Sequence, residues 1–116
     1  MLAELLDGYV AECDGEHRGL LLLKYHGQMS AEVYWMGVDP TCHRKGLGRF
    51  QMKLAIQDVR KRGMKFMFVA TLHPDVEYEP FLRTRCFYEA MGFGYAHAEH
   101  FSADPENPIA YYLRQL

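Results

Sequence analysis

At Val38 the apolar pattern of the chain stops alternating, and at Leu47 it resumes with a helical period, with only Asp39 to Gly46 between. A strand that feeds almost directly into a helix is the arrangement that satisfies both halves. Upstream, Val33, Tyr34 and Trp35 favour extended backbone across Ala31 to Val38. Asp39-Pro40 closes that strand, because proline offers no ladder donor and restricts the residue before it. Downstream, Leu47 to Arg62 reads as a helix. Leu47, Phe50 and Leu54 form its apolar stripe, Met52, Ala55, Ile56 and Val59 widen it, and charges lie opposite. Arg60-Lys61-Arg62 followed by Gly63 suits the carbonyl end of that helix.

The rest of the chain arranges itself around this junction. Leu2 to Leu6 reads as a short amphipathic turn, and Tyr9 to Cys13 and Arg18 to Tyr25 as two strands joined at Asp14-Gly15. Beyond the helix, Lys65 to Thr71 is an apolar strand and Phe81 to Met91 a second helix ended by Gly92. Phe93 to Ala98 and Ile109 to Arg114 are two further strands. The order β-β-β-α-β-α-β-β predicts an α/β chain of the α+β mixed-sheet kind, with helices packed on the sheet. Its 116 residues leave room for one core, so residues 1–116 are expected to form a single domain.

Hydrophobic residues make up 49% and charged residues 24%, a globular balance that excludes a disordered tail. No apolar run approaches the ~20 residues of a membrane span. Residues 1–7 carry Glu4 and Asp7 but no base, so no export signal is read there. Cys13, Cys42 and Cys86 are far apart and odd in number, which predicts reduced thiols and a cytoplasmic setting without membrane association. His97-x-x-His100 is the one close histidine pair, without a cysteine or carboxylate at ligand spacing, so no metal is expected.

The net charge of −2 conceals an asymmetry. Arg44 to Lys65 contains eight basic residues and one acid, Asp58, while the remainder carries five bases and fourteen acids. A basic block confined to one stretch suggests an anionic ligand at one place; nucleic acid would ask for an extended basic face. Gly46-Leu47-Gly48 lies inside that block at the start of the helix. Such a turn presents backbone N–H groups and the positive end of the helix dipole to one point, without Cβ atoms in the way. Arg44, Lys45 and Arg49 surround the same point. A phosphate or pyrophosphate fits. A dinucleotide fingerprint would need glycine where Gln51 stands, and no P-loop string occurs.

Two strings in this chain resemble the signatures of the GNAT superfamily of acyl-CoA-dependent N-acetyltransferases. One is Val38-Asp39-Pro40 followed by His43-Arg44-Lys45-Gly46-Leu47-Gly48, and the other is Phe87-Tyr88-Glu89-Ala90-Met91-Gly92-Phe93. The resemblance extends over roughly Tyr9 to Leu116 and implies a GNAT-like mixed sheet, splayed at its centre, with acetyl-CoA as co-substrate. It implies that Met36, Gly37 and Val38 contact the pantetheine arm and that His43, Arg44, Lys45, Gly46, Leu47, Gly48 and Arg49 hold the pyrophosphate. An amine then attacks the thioester directly, with a backbone N–H near Met36 or Gly37 supporting the oxyanion. His43 stands where arginine or glutamine is usual.

The resemblance also suggests the catalytic pair. Glu32 occupies the strand position of a general base, which an ammonium acceptor needs before it can attack. Tyr88 matches the tyrosine that protonates or hydrogen-bonds the departing thiolate, and an ordinary phenol pKa near 10 suits that task. By the two-residue period, Glu32, Tyr34 and Met36 share a strand face. A covalent route through Cys42 needs more assumptions than direct transfer. The usual family domain begins with a further strand and two helices. Only about thirty residues precede Glu32, which predicts an open acceptor side covered by a second copy of the chain in a homodimer. The same feature keeps an alternative in play, a non-catalytic CoA-binding regulatory or interaction module.

Overall fold

A computed structural model describes residues 6–42, 46–73, 79–100, 106 and 108–116. In chain order the elements are β1 (Leu6–Cys13), β2 (Glu16–His26), β3 (Ser30–Val38), a 3-10 turn (Pro40–Cys42), α1 (Leu47–Lys61), β4 (Phe66–Leu72), α2 (Glu79–Ala90), β5 (Gly94–Glu99) and β6 (Ile109–Gln115). The predicted element order is recovered, with boundaries displaced by up to three residues. Residues 1–5, and with them most of the predicted amphipathic turn from Leu2 to Leu6, lie outside the described residues.

Hydrogen-bonded strands follow the order β1-β2-β3-β4-β6-β5 in one sheet. The β1–β2, β2–β3 and β5–β6 pairs are antiparallel. At the start of β4, the N–H groups of Lys65 and Phe66 both donate to the Met29 carbonyl, at 2.9 and 3.0 Å. Met29 immediately precedes β3, so these two strands begin side by side and run parallel, as a helical crossover requires. At its far end His73 N–H donates to Pro108 O at 2.9 Å, and at its start Leu116 N–H donates to Lys65 O at 2.9 Å, so β6 opposes β4. The sheet is mixed. The chain's contacts group into two compact units, one running to Met67 and including Leu116, the other from Phe68 to Gln115.

In the first unit α1 packs on β1, β2 and β3. Leu21, Leu23, Ala31 and Val33 from the sheet are buried with Met52, Ala55, Ile56 and Val59 from the helix. The helix is turned away from its expected orientation, since Phe50 is 57% and Leu54 38% exposed. Polar anchors explain the rotation. Gln51 is buried over Gly19, where an added Cβ would meet its amide at 3.0 Å, and its Nε2 donates to Tyr9 O at 3.2 Å. Two turns later Asp58 accepts from the Tyr9 hydroxyl at 2.9 Å. These ties aim the 51, 55 and 58 side of α1 at the sheet and leave the Phe50–Leu54 side outward.

The β2–β3 ladder shifts register between Leu22 and Leu23: Leu22 faces Trp35 and Leu23 faces Val33, which leaves Tyr34 as the extra residue of a bulge. The expected face shared by Glu32, Tyr34 and Met36 is therefore not formed. Cross-strand partners share a face. Met36, opposite the buried Leu21, lies on the helix-covered face, whereas Glu32, opposite Lys24, lies on the outer face with Trp35.

The second unit places α2 with β5 and β6, and buries Val69, Tyr88, Met91, Phe93, Ala110 and Tyr112. Arg114 of β6 donates to the Met91 carbonyl just past the end of α2, satisfying a group that the helix leaves open. Among the described residues no helix is long and apolar enough to cross a membrane. Cys13, Cys42 and Cys86 are free thiols.

Candidate active site

The turn after β3 is built by Asp39. Its carboxylate accepts from the Thr41 N–H at 2.9 Å and the Thr41 hydroxyl at 2.7 Å, and Cys42 N–H donates to its carbonyl at 2.8 Å. Arg18 reaches the other carboxylate oxygen at 3.1 Å. The Thr41 hydrogen bonds, with Arg18 adding to them, hold the Asp39 carboxyl below the usual range. Proline at 40 starts the 3-10 turn that redirects the chain towards α1.

α1 begins without a side-chain cap. Gly46 is the cap residue at φ 79°, a left-handed conformation that glycine adopts without the steric cost other residues incur. Phe50 N–H donates to Gly46 O at 2.9 Å, the first bond of the helix. The N–H groups of Leu47, Gly48 and Arg49 precede that bond and have no carbonyl within the helix. The first turn contains no acidic residue, so the helix dipole there is not offset. A Cβ on Gly46 would meet nothing within 4 Å. Uncapped donors, a bare approach and a positive dipole end are the donor set that an anion such as a pyrophosphate requires. Predicted site residues Gly46, Leu47, Gly48 and Arg49 are thus gathered at one helix end, while His43, Arg44 and Lys45 lie outside the described residues.

Met36, Gly37 and Val38 form the last stretch of β3, all half-buried. A Cβ on Gly37 would stand 2.5 Å from the tip of the Trp35 indole, which would have to move aside. Glu32 sits near the other end of the strand, roughly 10–13 Å from Met36 at ~3.3 Å per residue. Its carboxylate oxygen lies 2.7 Å from His26 Nε2, and its side chain is 19% exposed. Cys42 is buried, and among the described residues no group of three histidines, cysteines or carboxylates is placed to hold a metal.

Tyr88 belongs to the second unit. It is 6% exposed, between Phe87 and Phe93, with ring centroids 5.6 and 5.7 Å away in edge contacts. Burial pushes its hydroxyl up to about 12. The phenol therefore stays protonated across the physiological range. Sequence reasoning missed Arg85, one turn before Tyr88 on α2 and also buried; a basic residue in a helix rich in charges carries no signal of burial.

Comparisons with known proteins bear on the family and the fold. A family model described as an acetyltransferase (GNAT) domain matches residues 6–94. A mycothiol acetyltransferase of Thermomonospora curvata is 35% identical over 85 residues, 73% of this chain and 27% of that protein. One of Segniliparus rotundus is 37% identical over 62 residues, 53% of this chain and 21% of that protein. The chain thus spans about a quarter of the length of these relatives. Among solved structures, a GNAT-family acetyltransferase of Desulfovibrio desulfuricans matches with TM-score 0.85 at 23% identity, over 97% of this chain and 71% of that one. A GNAT-family acetyltransferase of Elizabethkingia anophelis with acetyl-CoA bound matches with TM-score 0.83 at 15% identity, over 99% and 79%. At such identities the structural likeness is one of fold.

Proposed function

Because the chain belongs to the GNAT acetyltransferase family, we propose that it transfers an acetyl group from acetyl-CoA directly to an amine acceptor. The uncapped start of α1 carries this reading. There Gly46, Leu47, Gly48 and Arg49 would hold the pyrophosphate of acetyl-CoA, and His43, Arg44 and Lys45 would precede them in the chain. Met36, Gly37 and Val38 would offer strand backbone to the pantetheine arm, and an N–H near Met36 or Gly37 would support the oxyanion.

Tyr88 is the acid in this reading. A phenol near 12 lies three to four units above an ordinary thiol at ~8.5. Complete transfer of its proton to a free thiolate is thus uphill by about 4–5 kcal/mol. Its contribution is a hydrogen bond that strengthens as charge gathers on sulfur while the C–S bond breaks, with the proton following. Glu32 is the base, held by His26 on the outer face of the sheet and acting on the acceptor ammonium through water. On that face Val10, Tyr34 and Trp35 are 55, 51 and 53% exposed, which supports a homodimer with a second copy against them. A monomer by light scattering at high micromolar concentration would remove that partner.

The test is thiol release from acetyl-CoA with a panel of amines that includes mycothiol-type acceptors, for which the matched relatives are named. Tyr88→Phe should slow turnover by ~10²-fold or more while leaving acetyl-CoA binding in place. Binding without turnover on any amine would instead identify the chain as a CoA-binding module.

A further inference from the structure

Among the described residues, Arg85 is the one charged side chain that the fold buries, at 7% exposure. Its Nη1 is closed off from solvent and has no hydrogen-bond partner. Gln51 Oε1 and Arg114 Nε are also buried without a partner, but each of those side chains makes another hydrogen bond, to the Tyr9 carbonyl and to the Met91 carbonyl, and Arg18 is paired with Glu16 and Asp39. Arg85 acts electrostatically on Tyr112 of β6. Its charge pulls down on the Tyr112 hydroxyl, against the burial and the Glu89 carboxylate that both push that hydroxyl up. Glu89, four residues on, stays exposed and forms no pair with it. Arg85 also precedes Tyr88 by three positions, which puts both on one face of α2.

A guanidinium taken out of water without an acceptor is costly, and losing one partner of a buried pair is costlier than never having had it. A fold that keeps such a group next to a proposed catalytic tyrosine leaves it an acceptor to find in a ligand. The planar fork of the guanidinium matches two oxygens at once, as a carboxylate or phosphate presents them. We propose that Arg85 receives an oxyanion, a carboxylate or phosphate group carried by one of the two substrates. That the carrier is a substrate rests on the acetyl-transfer reading; the oxyanion site itself does not.

Two measurements on the whole chain test it. In the first, glutarate and inorganic phosphate are titrated in while arginine Nε–Hε and α2 amide resonances are followed, with Arg85 assigned by its loss in Arg85→Met. A saturable shift at Arg85 is expected, and affinity in Arg85→Met should fall by roughly 10- to 100-fold, the range of a charge-assisted hydrogen bond. Arg85→Lys keeps the charge without the fork and should lie between, which preserves the test if the methionine variant does not fold. No saturable shift, or equal affinity in the variants, overturns the site.

The second measurement distinguishes the carriers. With acetyl-CoA, KM is compared for an amino acid and for the matching amine without its carboxylate; with a neutral amine, succinyl-CoA is compared with acetyl-CoA. If the acceptor carries the anion, Arg85→Met should erode the first preference by about tenfold or more. If the acyl chain carries it, the second preference should fall instead. Neither ratio moving overturns the substrate assignment. Glutarate binding at Arg85 without any acetyl transfer upholds the oxyanion site and overturns the proposed activity alone.

Discussion

The start of α1 and the middle of α2 both present positive charge, and they do so by opposite means. α1 uses backbone: three N–H groups without helical acceptors, a glycine cap at φ 79° and no acid in its first turn. α2 uses side chains withdrawn from water, Arg85 with an unpartnered Nη1 and Tyr88 lifted to about 12 by burial. Backbone donors at a helix end stay solvated and cost little when no ligand is bound, so they suit a co-substrate that comes and goes. Buried side chains are pre-organised at the expense of stability and interact strongly in a low dielectric, which suits selection and chemistry. A count of positive residues thus says little about where a fold keeps its working charge.

The greatest loss of stability should come from disturbing what holds α1 in place. If Gln51 and Asp58 set its rotation, Met52→Ala removes a buried side chain and should cost about 2–5 kcal/mol. Leu54→Ala, on the outward side, should change stability by less than about 0.5 kcal/mol. Urea titration of both variants measures this. Equal losses would return Leu54 to the core and with it the orientation of the uncapped turn.

Next in size is the response of α2 to alkali. The Tyr88 pKa is raised in the folded state, from near 10 to about 12. The stabilisation of its neutral form is complete below pH 10 and is lost as pH rises towards 12, because the unfolded chain releases this proton first. Two units correspond to about 2.7 kcal/mol. Tyr9 and Tyr25, raised by burial and by Asp58 and Asp7 respectively, add to the wild-type loss. Tyr88→Phe should therefore lose less stability than wild type between pH 10 and 12, while Tyr9→Phe trims only the part linked to α1. An unchanged alkaline slope in Tyr88→Phe would mean that its phenol is not held away from water.

How far the sequence already disclosed this arrangement differs between the helices. The α1 turn was legible because its signals are backbone signals: Pro40 stops a strand, Gly46 permits a left-handed cap, and a change of period marks the helix. The rotation of α1 was not. Phe50 and Leu54 are as apolar as Met52 and Ile56, and only the Tyr9–Asp58 and Gln51–Tyr9 ties, spanning 49 and 42 residues, decide which side faces inward. The bulge at Tyr34 was equally silent, since alternation continues through it in composition while the ladder shifts by one. On α2 the Phe87-Tyr88 string marked the tyrosine, but burial of Arg85 depends on tertiary packing, and no local pattern encodes that.

The smallest effect is also the most discriminating, because the molecule contains its own control. Gly46 and Gly63 flank α1 at its two ends, at φ 79° and 80°, and a Cβ on either would meet nothing within 4 Å. Alanine at each position incurs the same left-handed backbone cost, roughly 1–2 kcal/mol. Gly46→Ala and Gly63→Ala should thus lower stability equally, by a few degrees in Tm for a chain of this size. They should differ in acetyl-CoA affinity, measured by calorimetry. Gly46→Ala puts a methyl group into the approach to the three uncapped N–H groups and should weaken binding by about tenfold, the loss of one well-placed charge-assisted contact. Gly63→Ala lies at the carbonyl end and should bind as wild type does. A short acetyl thioester without the pyrophosphate should not distinguish the two variants. If both alanines weaken acetyl-CoA alike, backbone strain alone accounts for the loss, and the uncapped turn of α1 is not where the diphosphate rests.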